Sequence, residues 1–579
     1  MNSRGLWAES RQPALRLVGL TALVVTLTAC EPAFVVEEAT VAEIHQAMTE
    51  GRITAEALVK HYLDRIEAYD KQGPSINSLI TVSLTALDRA RTLDAALASS
   101  GLTGPLHGIP VIVKDNYDTY DLPTTNGILA LKHAVPPDDA YHVARLRDAG
   151  AIILAKSNLA EFATSGAYSV SSVLPGFSRN PYDTRRVTAG SSGGTAAAIA
   201  ANLGTVGLGT DTGSSIRGPS SHQALVGFRP TMGLSSRDGI APLNGGRDVG
   251  GPMARSVEDA VRVLEVIVGY DEADTVTARS NDVRPDGYLQ FLRADGLQGK
   301  RIGVLRRFFE VPDAEQTGPE PTPVEQDEGE NQGNTADQDQ ASDQAASSTQ
   351  EQQQEQQQEE REPTRVHPEV LALLEAALLD MEAAGATIVD SIDIPQMDSL
   401  RGAFPSVPRF RYDFDAYLAT RPGAPRSTME EILESGDFHP WLRSSLQNAV
   451  DEEWKGAPWE HENWDEWVQV TLDLGAAVTA AMDSAGVDVL VYPTYNYPAR
   501  LIGDLNTTYG ANSGTLSPPT GFPAFNVPMG VVPGGLPSGL QILGRAFAEG
   551  TMIEIAYAYE QATLHRRPPE STPPIARPR

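Results

Sequence analysis

The chain of 579 residues sets 45 Lys and Arg against 76 Asp and Glu, a formal net charge of −31 at pH 7, and 41% of it is hydrophobic. That length holds one large domain or a few ordinary ones, with apolar content enough for a sizeable core. Nucleic-acid affinity comes largely from clustered Lys and Arg displacing counterions, so the acidic balance excludes a phosphate-binding surface and no nucleic-acid partner is expected.

Arg4, Arg11 and Arg16 precede an apolar stretch over 17–29, shorter than the ~20 residues a spanning helix needs, and residues 1–29 read as a secretory signal peptide. The stretch ends in LTAC at 27–30, which resembles the lipobox of bacterial lipoproteins. This resemblance implies cleavage before Cys30, acylation of that cysteine, and a lipidated tether over 30–38. Cys30 is the only cysteine, so no internal disulfide is available. Glu31 stands where an inner-membrane retention signal usually has Asp, which favours the outer membrane. The expected location is the bacterial cell envelope, on the periplasmic side, with membrane contact through the lipid anchor only.

From 40 to 70 apolar residues recur at helical spacing: Val41, Ile44 and Met48, then Leu58, Tyr62 and Ile66. GRIT at 51–54 breaks the pattern, and Thr54 is placed to cap a second helix. Strand-like runs follow at 109–113 and 151–155 with a helical pattern over 142–149 between them, and further runs lie at 301–305, 387–389 and 487–491. The alternation predicts an α/β fold around a central, mostly buried sheet. Between 312 and 365 Gln, Glu, Asp, Pro and Ser dominate, and residues 313–362 hold fifteen acids against the single Arg361. Such a segment cannot bury enough apolar surface to offset chain entropy and is expected to be a disordered insertion. Five tryptophans, Trp441, Trp454, Trp459, Trp464 and Trp467, fall in a helical acidic stretch and read as packing in preference to a substrate cleft. The domain therefore spans 39–565 around the insertion, with a Pro/Arg-rich tail over 566–579.

Three candidate centres compete for the chemistry. GSSGG at 190–194 satisfies the nucleophile-elbow pattern with Ser192 in the reactive place, but the preceding DTRRVT is polar where an elbow needs a buried strand. Ser215 lies seven residues from His222 on one loop, although nothing else marks that histidine. Lys114 ends the apolar run 109–113, where desolvation lowers a lysine pKa until the amine serves as a base. An ion pair with the adjacent Asp115, or a strand-end lysine reaching for water, explains the same residue without catalysis. No His, Cys and carboxylate cluster has metal-ligand spacing, and no cofactor is expected.

Separated blocks decide between them. GPLHGIPVIVKDN at 104–116, AGSSGGTAAAIAANLGTVGLGTDTGSSIRGPSS at 189–221, GFRPTMG at 227–233, GGPMARSVEDA at 250–260, TGFPAFNVPMG at 520–530 and LPSGLQILGR at 536–545 together resemble the amidase signature family. PDDAYHVARLRDAGA at 137–151, GLSSRDGI at 233–240 and AYAYEQATLHRRPP at 556–569 are especially similar to bacterial peptide amidases within it. The resemblance implies a mixed sheet covered by helices on both faces and a Ser-Ser-Lys triad carried by Ser215 as nucleophile, Ser191 as bridging serine on a cis peptide bond, and Lys114 as base. It also implies an oxyanion hole from the backbone of Thr212, Gly213 and Ser214, with Ser192, Asp211 and Arg217 supporting. Ser214 stands where the family most often has Gly, and Arg229 where it has Lys. The implied activity is hydrolysis of a small-molecule or peptide amide, with peptide C-terminal amides foremost. Alternatives are a non-catalytic lipoprotein that keeps the fold as a binding module and the glutaminase subunit of a tRNA-dependent amidotransferase.

Overall fold

The computed structural model describes residues 34–164, 171–309, 366–504, 506–507 and 510–575. Signal peptide, Cys30 and the whole acidic segment 312–365 therefore lie outside the described residues. Eleven strands build one sheet: β1 (Leu79–Val82), β2 (Pro110–Lys114), β3 (Ile152–Ser157), β4 (Val206–Asp211), β5 (Val226–Arg229), β6 (Val249–Ala254), β7 (Arg301–Val304), β8 (Thr387–Val389), β9 (Val489–Pro493), β10 (Ala524–Val532) and β11 (Leu536–Leu543). Their order is β1-β3-β2-β4-β6-β5-β10-β11-β9-β7-β8. β3, β2 and β4 run parallel, as do β9, β7 and β8, while the pairs between these two groups are antiparallel. The sheet is thus mixed and flanked by helices, as the family resemblance implies. Its central strands β2, β4, β5 and β6 are buried at every residue, which explains why they read as apolar or glycine-rich runs without alternation.

Local signals account for the helices that open the domain. Thr40 caps the helix Val41–Thr49 in a reciprocal capping box with Glu43, and Thr54 caps Ala55–Arg65 by accepting from the Ala57 N–H. Near the site, the helix Gly193–Ala200 is buried at all eight residues. It lies hard against β4, where a Cβ on Gly207 would stand 2.5 Å from Thr195 Cγ2 and one on Gly209 would stand 2.9 Å from Ser192 Oγ. Glycine at these two positions lets the helix and strand close up.

Packing extends past the expected bounds of 39 and 565. Val36 is 1% exposed, Glu38 is ion-paired with Arg566, and buried Arg65 donates to the carbonyls of Thr572 and Pro573 and to Glu37. The first tether residues and the start of the tail are sewn together by two arginines, because Arg65 has to satisfy its donors once buried. Among the described residues, no helix is long and apolar enough to cross a membrane.

A second apolar cluster forms from helices between 410 and 451. Phe414, Leu418, Met429, Ile432 and Leu446 pack there around Phe162, whose ring lies 5.1 Å from that of Phe414. Phe162 belongs to the turn that follows β3, so this helical cap is joined to the sheet beside the C-terminal ends of β2 and β4. In open α/β sheets the crevice at those strand ends is where ligands bind.

Candidate active site

Lys114 is the last residue of β2 and Asp211 the last of its parallel neighbour β4, so the loops after both strands meet at one sheet end. The Lys114 side chain is fully buried, and its Nζ lies 2.7 Å from Ser191 Oγ and 2.7 Å from Thr210 Oγ1. Burial pushes the amine down to about 7, against the charges of Asp211 and Asp248, which favour the ammonium. The lysine is not paired with Asp115: that carboxylate takes Lys156, 3.0 Å away. Nor does Lys114 reach water, because the pocket closes over it.

The Gly190–Ser191 peptide bond is cis. Ser191 is fully buried, and its carbonyl accepts from the Ala160 N–H at 3.2 Å. Ser192 occupies the N-cap position of Gly193–Ala200 without a side-chain cap bond. Its hydroxyl is turned to β4 instead, donating to Thr210 O at 3.2 Å and accepting from Thr210 N–H at 3.3 Å. Its own N–H donates to Ser215 O at 3.2 Å, which ties the two serine loops together. Ser215 is 7% exposed, whereas Ser191 and Lys114 are at 0%. Among the described residues the Ser191 and Ser215 hydroxyls share no hydrogen bond, so the join between them is this backbone link. His222 turns away from Ser215: its Nε2 lies 3.4 Å from Tyr497 O, its ring packs on Tyr495, and burial pushes it down to about 4.

The backbone N–H groups of Thr212, Gly213, Ser214 and Ser215 donate to no group among the described residues, while Ile216 N–H is taken by Asp211 Oδ2 at 3.1 Å. Four free donors on one tight loop are an anion-accepting arrangement. Arg217 braces that loop. Its Nε and Nη2 donate to the two Asp211 oxygens at 3.1 Å each, Nη2 also to Gly213 O at 2.9 Å, and Nη1 to Ser513 O at 2.6 Å and Gln541 Oε1 at 3.0 Å. Burial alone raises the Asp211 carboxyl, but Arg217 and Arg229 outweigh it and hold the group down at about 2. Arg229 also donates to the Asp211 carbonyl, so the arginine that replaces the family's lysine keeps a structural contact behind the loop.

Three residues here carried no sequence signal of their own. Thr210 is the acceptor for Lys114, Asn116 donates to Thr210 Oγ1 at 3.1 Å, and Asp248 accepts from the Thr212 hydroxyl and from the N–H groups of Leu243 and Asn244. The last two bonds bring the loop after β5 beside the Thr212 loop. A cavity of about 320 Å³ opens behind Leu243 and Asn244 against the helical cap, with Tyr412 and Trp454 in its wall. One of the five tryptophans thus borders a cavity, while Trp464 and Trp467 stack on each other at 5.4 Å. Among the described residues no group of three or more His, Cys, Asp or Glu is placed to hold a metal ion.

Comparison with known proteins agrees with this geometry. The family model described as Amidase matches residues 57–318. A probable amidase of Arabidopsis thaliana is 30% identical over 559 residues, covering 93% of this chain and 92% of the relative. The glutamyl-tRNA(Gln) amidotransferase component of the same family in Moorella thermoacetica is 31% identical over 543 residues, 91% of this chain and 97% of that one. Among solved structures, native peptide amidase from Stenotrophomonas maltophilia superposes with a TM-score of 0.75 at 32% identity, over 92% of this chain and 99% of that one. With identity of this order running nearly the full length of both chains, and a buried lysine, two serines and a donor-lined loop gathered at one sheet end, the chain belongs to the amidase family and is an amide-hydrolysing enzyme.

Proposed function

We propose that the enzyme hydrolyses peptide C-terminal amides through an acyl-enzyme on Ser215. Neutral Lys114 takes the Ser191 proton while Ser191 takes that of Ser215, and Ser215 Oγ attacks the amide carbonyl. The tetrahedral oxyanion is met by N–H groups between Thr212 and Ser215, where in other enzymes one such donor is worth ~2.7–4 kcal/mol. The relay then runs in reverse, protonating the nitrogen as the C–N bond breaks and ammonia departs. Water enters, gives its proton to the same relay, attacks the ester, and frees the carboxylic acid and Ser215. In this sequence the Ser215 hydroxyl turns toward Ser191 once substrate is seated.

One observation carries the reading: an amine titrating near 7 sits 2.7 Å from a buried serine hydroxyl that shares a backbone link with a second, slightly exposed serine. The substrate class is supported by 32% identity to peptide amidase along almost the whole chain. Ammonia release from an N-acyl dipeptide amide tests it. Ser215→Ala is expected to lower turnover by about a thousandfold or more with the fold retained, and a fluorophosphonate adduct is expected on Ser215 by mass spectrometry. Appreciable turnover by the alanine variant removes the nucleophile assignment.

A second reading is favoured by the amidotransferase relatives, in which the site is a glutaminase working with partner subunits. Hydrolysis of free glutamine with no activity on peptide amides selects it. The envelope location is proposed from the first thirty residues alone, and palmitate labelling that Cys30→Ala abolishes tests it.

A further inference from the structure

A neutral lysine amine has two N–H bonds and one lone pair. It acts as a base toward Ser191 only when the lone pair faces that hydroxyl, and both N–H groups then need acceptors in a dry pocket. Among the described residues Nζ has three polar neighbours: Ser191 Oγ at 2.7 Å, Thr210 Oγ1 at 2.7 Å and Thr210 O at 3.4 Å. Placing both N–H bonds on Thr210 leaves the lone pair for Ser191. This requires the Thr210 hydroxyl to receive from the amine. If it donated instead, its proton would occupy the lone pair that the reaction uses.

Asn116 decides which way the hydroxyl turns. Its Nδ2 donates to Thr210 Oγ1 at 3.1 Å, so with Lys114 both lone pairs of that oxygen are filled and the Thr210 proton points away from the amine. The orientation of the amide is fixed in turn by Ala241, whose N–H donates to Asn116 O at 2.8 Å and whose carbonyl takes Nδ2 at 3.4 Å. Rotating the amide by half a turn would set Oδ1 against that carbonyl. Asn116 and Thr210 are 1% and 3% exposed, which shields these bonds from competing solvent. Neither residue touches Ser215.

We propose that Asn116 and Thr210 are positioning residues that hold the Lys114 lone pair on Ser191. The inference rests on the Lys114–Ser191–Ser215 reading given above. Lysine is a flexible four-carbon stem with three rotatable donors, so a base built on it needs something besides its target to fix the head.

The experiment measures the rate of fluorophosphonate labelling of the full chain from pH 5 to 10, with thermal melts reporting the folded fraction. Thr210→Val keeps the shape and removes the acceptor. Its rate is expected to fall about tenfold to a hundredfold. The midpoint of the acid limb is expected to fall by about one pH unit, because the ammonium loses more than the amine when an acceptor goes. Thr210→Ser restores both. Asn116→Leu frees the Thr210 proton to turn toward the amine, and is expected to lower the rate and the midpoint in the same direction; it carries the test alone if Thr210→Val does not fold. Folded variants that keep the wild-type midpoint overturn the proposal, whether their rate is unchanged or merely reduced. Lys114→Ala separates the two levels: labelling at the wild-type rate refutes the base itself, whereas an inactive Lys114→Ala beside normal Thr210→Val and Asn116→Leu refutes only the positioning.

Discussion

Acylation of Ser215 is expected to follow the titration of a single buried amine. Burial pushes Lys114 down to about 7, while Asp211 and Asp248 oppose that fall. Only the neutral form accepts a proton, so the reactive fraction is roughly one-tenth at pH 6 and nine-tenths at pH 8 for a group titrating there. The rate constant for fluorophosphonate labelling, measured at constant ionic strength, therefore rises about tenfold between those two values and is nearly flat above pH 8. A lysine left in water at its ordinary 10.5 gives another curve: the rate climbs about a hundredfold over the same interval and keeps climbing past pH 9. Asp248→Asn removes one of the two charges that favour the ammonium, so its acid limb moves to lower pH, in the opposite sense to any loss of burial. A wild-type midpoint above about pH 9, or an Asp248→Asn midpoint above wild type, refutes desolvation as what makes Lys114 a base.

Two further outcomes follow from the buried charges. Arg217→Met leaves Asp211, at 0% exposure, with Arg229 as its remaining cationic partner at 3.4 Å. Breaking a buried pair in this way costs about 3–5 kcal/mol, read as a lowered denaturant midpoint together with slower labelling as Gly213 loses its donor; an unchanged midpoint and rate remove the bracing role. Glu560 accepts from the Val257 N–H at 2.8 Å, and burial pushes its carboxyl up to about 8 from 4.5. Because the folded value lies above the unfolded one, the native state binds more protons between them and stability falls as pH rises through that window. Glu560→Gln keeps the acceptor without the charge, so its thermal midpoint is expected to exceed wild type at pH 8 and to converge with it near pH 4; a constant gap refutes the assignment.

Much of the fold was legible where the signal is local. The strands expected at 109–113, 151–155 and 487–491 form at Pro110–Lys114, Ile152–Ser157 and Val489–Pro493, and 387–389 forms as expected. Thr54 caps its helix, and Asp211 pairs with Arg217 as anticipated. By contrast β4, β5 and β6 show no clear strand pattern in the sequence, because glycines at 207, 209, 227, 250 and 251 dilute the β-branched residues that mark a strand. Those glycines answer to close approach from neighbouring elements, a tertiary demand. The expected domain bounds fall short at both ends for a related reason: nothing near Glu38 reveals that Arg566, 528 residues on, is its partner.

The sequence by itself determined the fold class, the glycine-rich serine loops and the lysine that ends an apolar strand, since each is written in residues adjacent along the chain. Tertiary structure alone decided that Lys114 bonds Ser191, 77 residues away, and Thr210, 96 residues away, and leaves Asp115 to Lys156. The physical reason is that proton affinity is set by burial and by the partners that surround a group in space. Those are assembled only when β2, β4 and the Ser191 loop close on one another.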